Sequence, residues 1–201
     1  MPARLEVITG CMFSGKTEEL LRRVERAHIA KKSVLLFKPS LDTRYCPEEV
    51  VAHHGRSLPC FRVPPNPMLE DLRSAAGWEA DTADVIAFDE GNFFGPDFPA
   101  LCDELVQAGK RVIVAGLDQN FRAQPFGPMP VLLALADEVL KLSAVCMCCG
   151  QPATRTQRLV DGQPATGGPE VLVGGQESYE ARCRSCFVPP SEYLTAGPPA
   201  R

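Results

Sequence analysis

The chain has 201 residues, with 21 Lys and Arg against 25 Asp and Glu, a formal net charge of −4, and nine cysteines. That length suits one medium domain with a small appendage, and it can bury a sizeable core. The charge balance holds no basic block of a nucleic-acid binder, no apolar run is long enough to span a membrane, and no signal-peptide apolar region follows Met1, so a cytoplasmic protein is expected.

Leu5-Glu6-Val7-Ile8 reads as a strand. It leads into Gly10, Cys11, Met12, Phe13, Ser14, Gly15, Lys16 and Thr17, which fit the pattern glycine, four residues, Gly-Lys-Ser/Thr. Leu20, Leu21, Val24 and Ala27 then recur at helical spacing. Strand, glycine turn and helix start are the context that a phosphate-binding loop requires. Its backbone N–H groups would cradle phosphates, with Lys16 on the outer phosphates and Thr17 on Mg²⁺.

Ser33 to Phe37 suits a buried parallel strand. The polar run Lys38 to Tyr45 follows at the same sheet edge, where Arg44 either contacts phosphate oxygens or is a solvated loop arginine. His53 and His54 lack the spacing of metal ligands and are read as loop or short strand. Pro67 is expected to open a short helix that ends at Gly77.

Asp84-Val85-Ile86-Ala87-Phe88 is a strand that ends in Asp89 and Glu90. The first acid after such a strand serves Mg²⁺, and the second is placed to act as a base on a hydroxyl or water. Phe93 and Phe94 follow; they wall a pocket or pack in the core. A helix through Leu101, Leu105 and Val106, a buried strand over Arg111–Leu117, a short helix over Val131–Ala136 and a strand over Glu138–Leu142 continue the pattern. Strands alternating with helices predict an α/β fold with a parallel sheet.

At Cys146 the composition changes. Cys146 and Cys149, then Cys183 and Cys186, form two Cys-x-x-Cys pairs. In a reducing compartment two such pairs point to a structural four-thiolate zinc site, with a redox dithiol as the alternative. Cys148 complicates the first pair; Cys146 and Cys149 are chosen because two intervening residues give the knuckle spacing. The other cysteines read as plain small side chains. Asp161 to Glu170 is rich in Gly and Pro and reads as a flexible loop. Val171-Leu172-Val173 could form a short strand, and the long loop pinned at its base would serve as a lid.

The chain resembles the cytosolic P-loop type of thymidine kinase over Leu5 to Cys186. The resemblance rests on Gly10 to Thr17, Asp42-Thr43-Arg44-Tyr45, Asp89 to Phe94, Leu117 to Phe121, Pro125-Phe126-Gly127, Thr156 to Leu159, Gly174-Gly175, Tyr179 and both cysteine pairs. It implies a RecA-like P-loop α/β domain with helices on both faces over residues 1–143, a zinc-containing lasso domain over 144–188 and a tail over 189–201. The implied reaction transfers the γ-phosphoryl group of ATP to the 5′-hydroxyl of thymidine, with Glu90 as general base. Lys16 and Arg44 would stabilise the moving phosphoryl group. Mg²⁺ would be held by Thr17 and, through water, Asp89; Asp42 and Asn92 join the nucleotide side. Met12, Phe93, Leu117, Phe121, Phe126 and Tyr179 would enclose the nucleoside. Glu170, Val171, Leu172, Val173 and Gly174 would read thymine through backbone groups. The resemblance also implies a homotetramer and feedback inhibition by thymidine triphosphate. Asn92 stands where the family usually has Gln, so any hydrogen bond it makes near the site is expected to lengthen or pass through water.

Two rivals remain at this stage. One is a P-loop ATPase whose cysteine-rich segment binds nucleic acid, although Tyr179 is the sole aromatic between Cys146 and Cys186. The other is a kinase acting on deoxyuridine or another nucleoside.

Overall fold

The computed structural model describes residues 2–40, 49–51, 55, 57–170 and 178–190. Strand β1 (Arg4–Gly10) enters the phosphate loop and helix α1 (Lys16–Ile29), and β2 (Val34–Pro39) follows. A small antiparallel pair, β3 (Glu49–Val51) and β4 (Ser57–Pro59), precedes β5 (Phe61–Val63). Helices α2 (Leu69–Ala76) and α3 (Glu79–Thr82) lead to β6 (Val85–Phe88) and a 3₁₀ turn over Gly91–Phe93. Then come α4 (Phe98–Gln107), β7 (Arg111–Gly116), α5 (Met129–Leu135) and β8 (Glu138–Leu142).

Among the described residues, six strands form one sheet in the order β5-β2-β6-β7-β1-β8. Every pairing within it is parallel. Strand β7 lies between β1 and β6, so one strand separates the phosphate loop from the Asp89–Glu90 strand end, as in a RecA-like sheet. The apolar runs explain this burial. Val7, Leu35, Ile86, Val112 and Val114 pack on one face with α2, α4 and α5. Their neighbours Ile8, Leu36, Ala87, Ile113 and Ala115 pack on the other with α1. Period-two alternation of apolar residues on both faces requires helices on both sides.

The expected strands of the sheet hold to within two residues, while the short strand expected at Val171–Val173 lies outside the described residues. Pro67 does not open α2, which starts at Leu69. Its first turn is anchored instead by the Asp71 carboxylate, which accepts from the Met68 N–H at 2.7 Å.

Beyond β8 the chain forms smaller antiparallel pieces: β9 (Ala144–Val145) with β10 (Pro152–Ala153), and β11 (Arg155–Val160) between β12 (Gln163–Pro164) and β13 (Tyr179–Arg182). Here the expected flexible loop over Asp161–Glu170 needs correction. Its first part is a hairpin in which Val160 pairs with Gln163. Asp161 and Gly162 have φ of 50° and 74°. Two successive positive φ values at Asp-Gly make the tight two-residue turn that matches strand twist. Among the described residues, no helix is long and apolar enough to cross a membrane.

Candidate active site

The phosphate loop joins β1 to α1, so its amides lie at the carboxyl edge of the sheet. Gly10 has φ of +143°, and a Cβ there would meet the Leu142 carbonyl oxygen at 2.4 Å. Only glycine fits both constraints. Phe13 adopts φ of 64° without that excuse, and such strain persists only where the surroundings enforce it. Ser14 Oγ and Lys16 Nζ both donate to the Cys11 carbonyl, each at 2.8 Å. Lys16 therefore arches back over its own loop. Burial pushes its pKa down, while the charges of Glu90, Asp89 and Asp118 pull it back up.

Across the edge, β6 ends at Asp89. Thr17 Oγ1 donates to Asp89 Oδ2 at 3.3 Å, and the Glu90 N–H donates to Asp89 Oδ1 at 2.9 Å. Glu90 sits in the left-handed region, φ 52° and ψ 41°. That turn aims the carboxylate away from the strand axis into a cleft lined by Thr17, Lys38, Val50, Asp89 and Glu90. Two oxygens from different elements, Thr17 Oγ1 and Asp89 Oδ2, face each other as a hard cation such as Mg²⁺ prefers.

The loop after β7 provides the next wall. Leu117, Phe121 and Phe126 are buried there. Phe93 meets Phe126 edge to face, with centroids 5.7 Å apart. Phe94 instead stacks on Phe98 at 4.1 Å within the core, whereas Phe93 is only half-buried. Asn92 is buried, and its Oδ1 accepts from the Leu117 N–H at 2.8 Å. This bond is direct and of ordinary length. It ties the Asp89–Glu90 turn to the Leu117 loop. Gly127 lies against the same turn, where a Cβ would meet the Asn92 carbonyl oxygen at 2.3 Å.

Tyr179 lies on β13, and Glu170 reaches the loop after β7. Asn120 Nδ2 donates to Glu170 Oε1 at 2.7 Å. The Met12 N–H donates to Thr156 Oγ1 at 3.0 Å, so the phosphate loop touches β11. Asp42, Arg44, Val171, Leu172, Val173 and Gly174 lie outside the described residues.

The sulfurs of Cys146, Cys149, Cys183 and Cys186 all lie within 4.8 Å of one another, and Cys149 and Cys183 are 3.6 Å apart. Tetrahedral thiolates at a Zn–S distance of about 2.3 Å would sit ~3.8 Å apart, so the donor set fits zinc. The Cys183 N–H, aimed at the Cys146 sulfur, holds that thiol down to about 6. Cys148 is exposed and stands outside the cluster.

Three site residues escaped sequence reading. Lys38 is buried at the end of β2, and its Nζ donates to the Glu49 carbonyl at 2.8 Å; the rule that ligands bind at carboxyl strand ends could have singled it out. Asp118 is buried and pairs with Lys141 at 2.7 Å. Arg158, inside β11, falls within the Thr156–Leu159 stretch of the resemblance, but nothing there assigns it a role.

This fold and site define a P-loop nucleotide-binding protein with a four-cysteine cluster fit to hold a metal ion. A family model described as thymidine kinase matches residues 3–187. A thymidine kinase of Coprothermobacter proteolyticus is 54% identical over 192 residues, 95% of this chain and 93% of that protein. One of Deinococcus radiodurans is 53% identical over 186 residues, 90% of this chain and 88% of that protein. Among solved structures, the genome packaging NTPase B204 of Sulfolobus turreted icosahedral virus 2 is 17% identical with a TM-score of 0.45, over 70% of this chain and 74% of that one, too distant to speak to function. The chain belongs to the thymidine kinase family.

Proposed function

We propose that the protein transfers the γ-phosphoryl group of ATP to the 5′-hydroxyl of thymidine. The observation that carries this is the meeting of Lys16, Thr17, Asp89 and Glu90 at one sheet edge in a chain of the thymidine kinase family. ATP lays its phosphates along the loop amides, and Lys16 swings from the Cys11 carbonyl to the outer phosphates. The added negative charge offsets the burial that lowers its pKa. Bound Mg²⁺, held by Thr17 and Asp89, would supply positive charge on the phosphate oxygens. Glu90 takes the 5′-hydroxyl proton as that oxygen bonds to the γ-phosphorus and the bond to ADP breaks. Positioning and charge neutralisation carry most of the rate in such a transfer.

Met12, Phe93, Leu117, Phe121, Phe126 and Tyr179 enclose the nucleoside in this reading, with Glu170 at the rim. Arg44 and Asp42 belong to the phosphate side, and Val171 to Gly174 to the base-reading segment, on the resemblance alone. Residues 1–143 and 144–188 are read as catalytic and lasso units, with structural zinc on the four cysteines.

Coupled ADP release with Mg-ATP is the test, comparing thymidine, deoxyuridine, deoxycytidine, deoxyguanosine and no acceptor. Release that depends on thymidine is expected. Release without any nucleoside would replace the kinase by an ATPase, and dependence on another nucleoside would move the substrate. The same assay with added thymidine triphosphate tests feedback inhibition, and light scattering tests the homotetramer. Both of these follow from the family resemblance, and a cytoplasmic location is the expectation from the sequence reading.

A further inference from the structure

Arg158 is 2% exposed. A buried guanidinium is costly unless its charge and donors are met. Among the described residues it makes no ion pair, and its donors are spent elsewhere. Nε and Nη2 donate to Tyr179 Oη at 3.2 and 2.9 Å. Nη1 donates to the Pro169 carbonyl, and Nη2 to the Glu170 carbonyl at 3.0 Å. Its charge lies over two aromatic faces, 3.7 Å from the Phe121 centroid and 5.4 Å from that of Tyr179. Both are within cation–π range.

One side chain on β11 thus holds three separate pieces of chain: the loop after β7 through Phe121, the β13 strand through Tyr179, and the backbone at Pro169–Glu170. Two of these are aromatic walls of the proposed nucleoside pocket. We infer that Arg158 is the positioning residue of that pocket, acting on the nucleoside through Phe121 and Tyr179 and not by direct contact. Four of the five N–H groups of the guanidinium are already engaged within the protein, which commits it to holding these pieces of chain together. Lysine could keep the charge, but not the planar stacking or the forked donation. The phosphate loop makes its own link to β11 through Thr156, which shares a strand face with Arg158 but accepts from the Met12 N–H in a bond that the guanidinium takes no part in. The nucleotide side therefore does not depend on the guanidinium.

This inference rests on the nucleoside reading of the site, which thymidine-dependent ADP release by the unaltered protein tests by itself. No such release would remove both. Given that release, Arg158→Lys should raise the KM for thymidine roughly tenfold or more, with KM for ATP and kcat at saturating thymidine within about twofold. Zinc content, measured alongside, should stay unchanged. Unchanged thymidine KM, or equal rises in both KM values, would overturn the inference. Tyr179→Phe removes the acceptor and keeps the ring, and it should raise thymidine KM on its own. The double variant should then fall short of the product of the single effects, since the two residues act as one unit. Multiplying effects would show Arg158 acting independently of Tyr179. If Arg158→Lys fails to fold, a wild-type thymidine KM in Tyr179→Phe still overturns the proposal.

Discussion

Glu90 concentrates the residue-scale argument. A non-glycine residue at φ 52° costs free energy that an ordinary strand end would not spend. Here the left-handed turn, with the Glu90 N–H on Asp89, points two consecutive acids in different directions. One faces Thr17 and the other faces the cleft. If Glu90 is the base, Glu90→Gln keeps shape and hydrogen bonding but cannot take the proton. It should keep ATP affinity and lower kcat by roughly 10²–10⁴. Single-turnover kinetics with saturating ATP and thymidine measure this, and near-normal turnover would strip Glu90 of the role. Asn92 makes a contrasting case. Its shorter side chain still reaches the Leu117 N–H directly, so its place in the site is to join two edge loops.

At the scale of elements, the sheet is braced by a charge cluster inside it. Glu6 on β1 is fully buried and accepts from Arg111 on β7 at 2.8 Å, from Arg4 at 2.7 Å and from Arg23 on α1. Burial alone would raise its pKa, but the Arg111 and Arg23 guanidinium groups outweigh this and hold it below 4.5. Glu6→Gln would leave the buried guanidinium groups short of a negative partner and should destabilise the fold by about 3 kcal/mol at neutral pH. That figure is at the low end because Arg23 keeps Glu19 and Glu138. A folded-state pKa below the unfolded one contributes stability above the unfolded pKa, and that contribution is lost as pH falls through the folded pKa. The gap between wild type and Glu6→Gln in urea unfolding should therefore shrink below pH 4.5; a gap independent of pH would mean the carboxylate is not the bracing group. The sequence could not announce this cluster, because Glu6 interrupts an apolar run and its partners lie on two other elements. The strands themselves were legible, since burial on both faces demands continuous apolar runs. So was the phosphate loop, whose glycines answer local backbone demands. The Asp161–Gly162 hairpin carried a readable turn signal that the surrounding Gly and Pro obscured. Arg158 and the Asp118–Lys141 pair act only through tertiary contact, so no local pattern assigns them a role.

For the whole molecule, the cysteine-rich unit and the phosphate loop are in direct contact. Cys11 Sγ donates to the Ala153 carbonyl at 3.3 Å, and the Met12 N–H donates to Thr156. Cys11, Ala144, Cys146, Ala153 and Ala181 share one small core that Phe13, Cys183 and Cys186 flank. Three of the four clustered cysteines, Cys146, Cys183 and Cys186, thus share this small core with Cys11 of the phosphate loop. A small segment with so little apolar core would depend for its folding on a metal held by the four cysteines. Cys183→Ser should accordingly lose zinc and loosen both the nucleoside wall and the loop's hold on ATP, while the parallel sheet, with its separate cores on either face, stays folded. The expected result is zinc near zero by elemental analysis and strongly reduced turnover in excess Mg-ATP, with most of the far-ultraviolet circular dichroism retained. Chelation of the wild-type protein, followed by removal of the chelator and addition of Mg²⁺ alone, should reproduce the loss; added Zn²⁺ should reverse it. Full turnover in the zinc-free protein would show that the contact at Cys11 and Met12 does not couple the two units, and that the metal supports only its own corner of the fold.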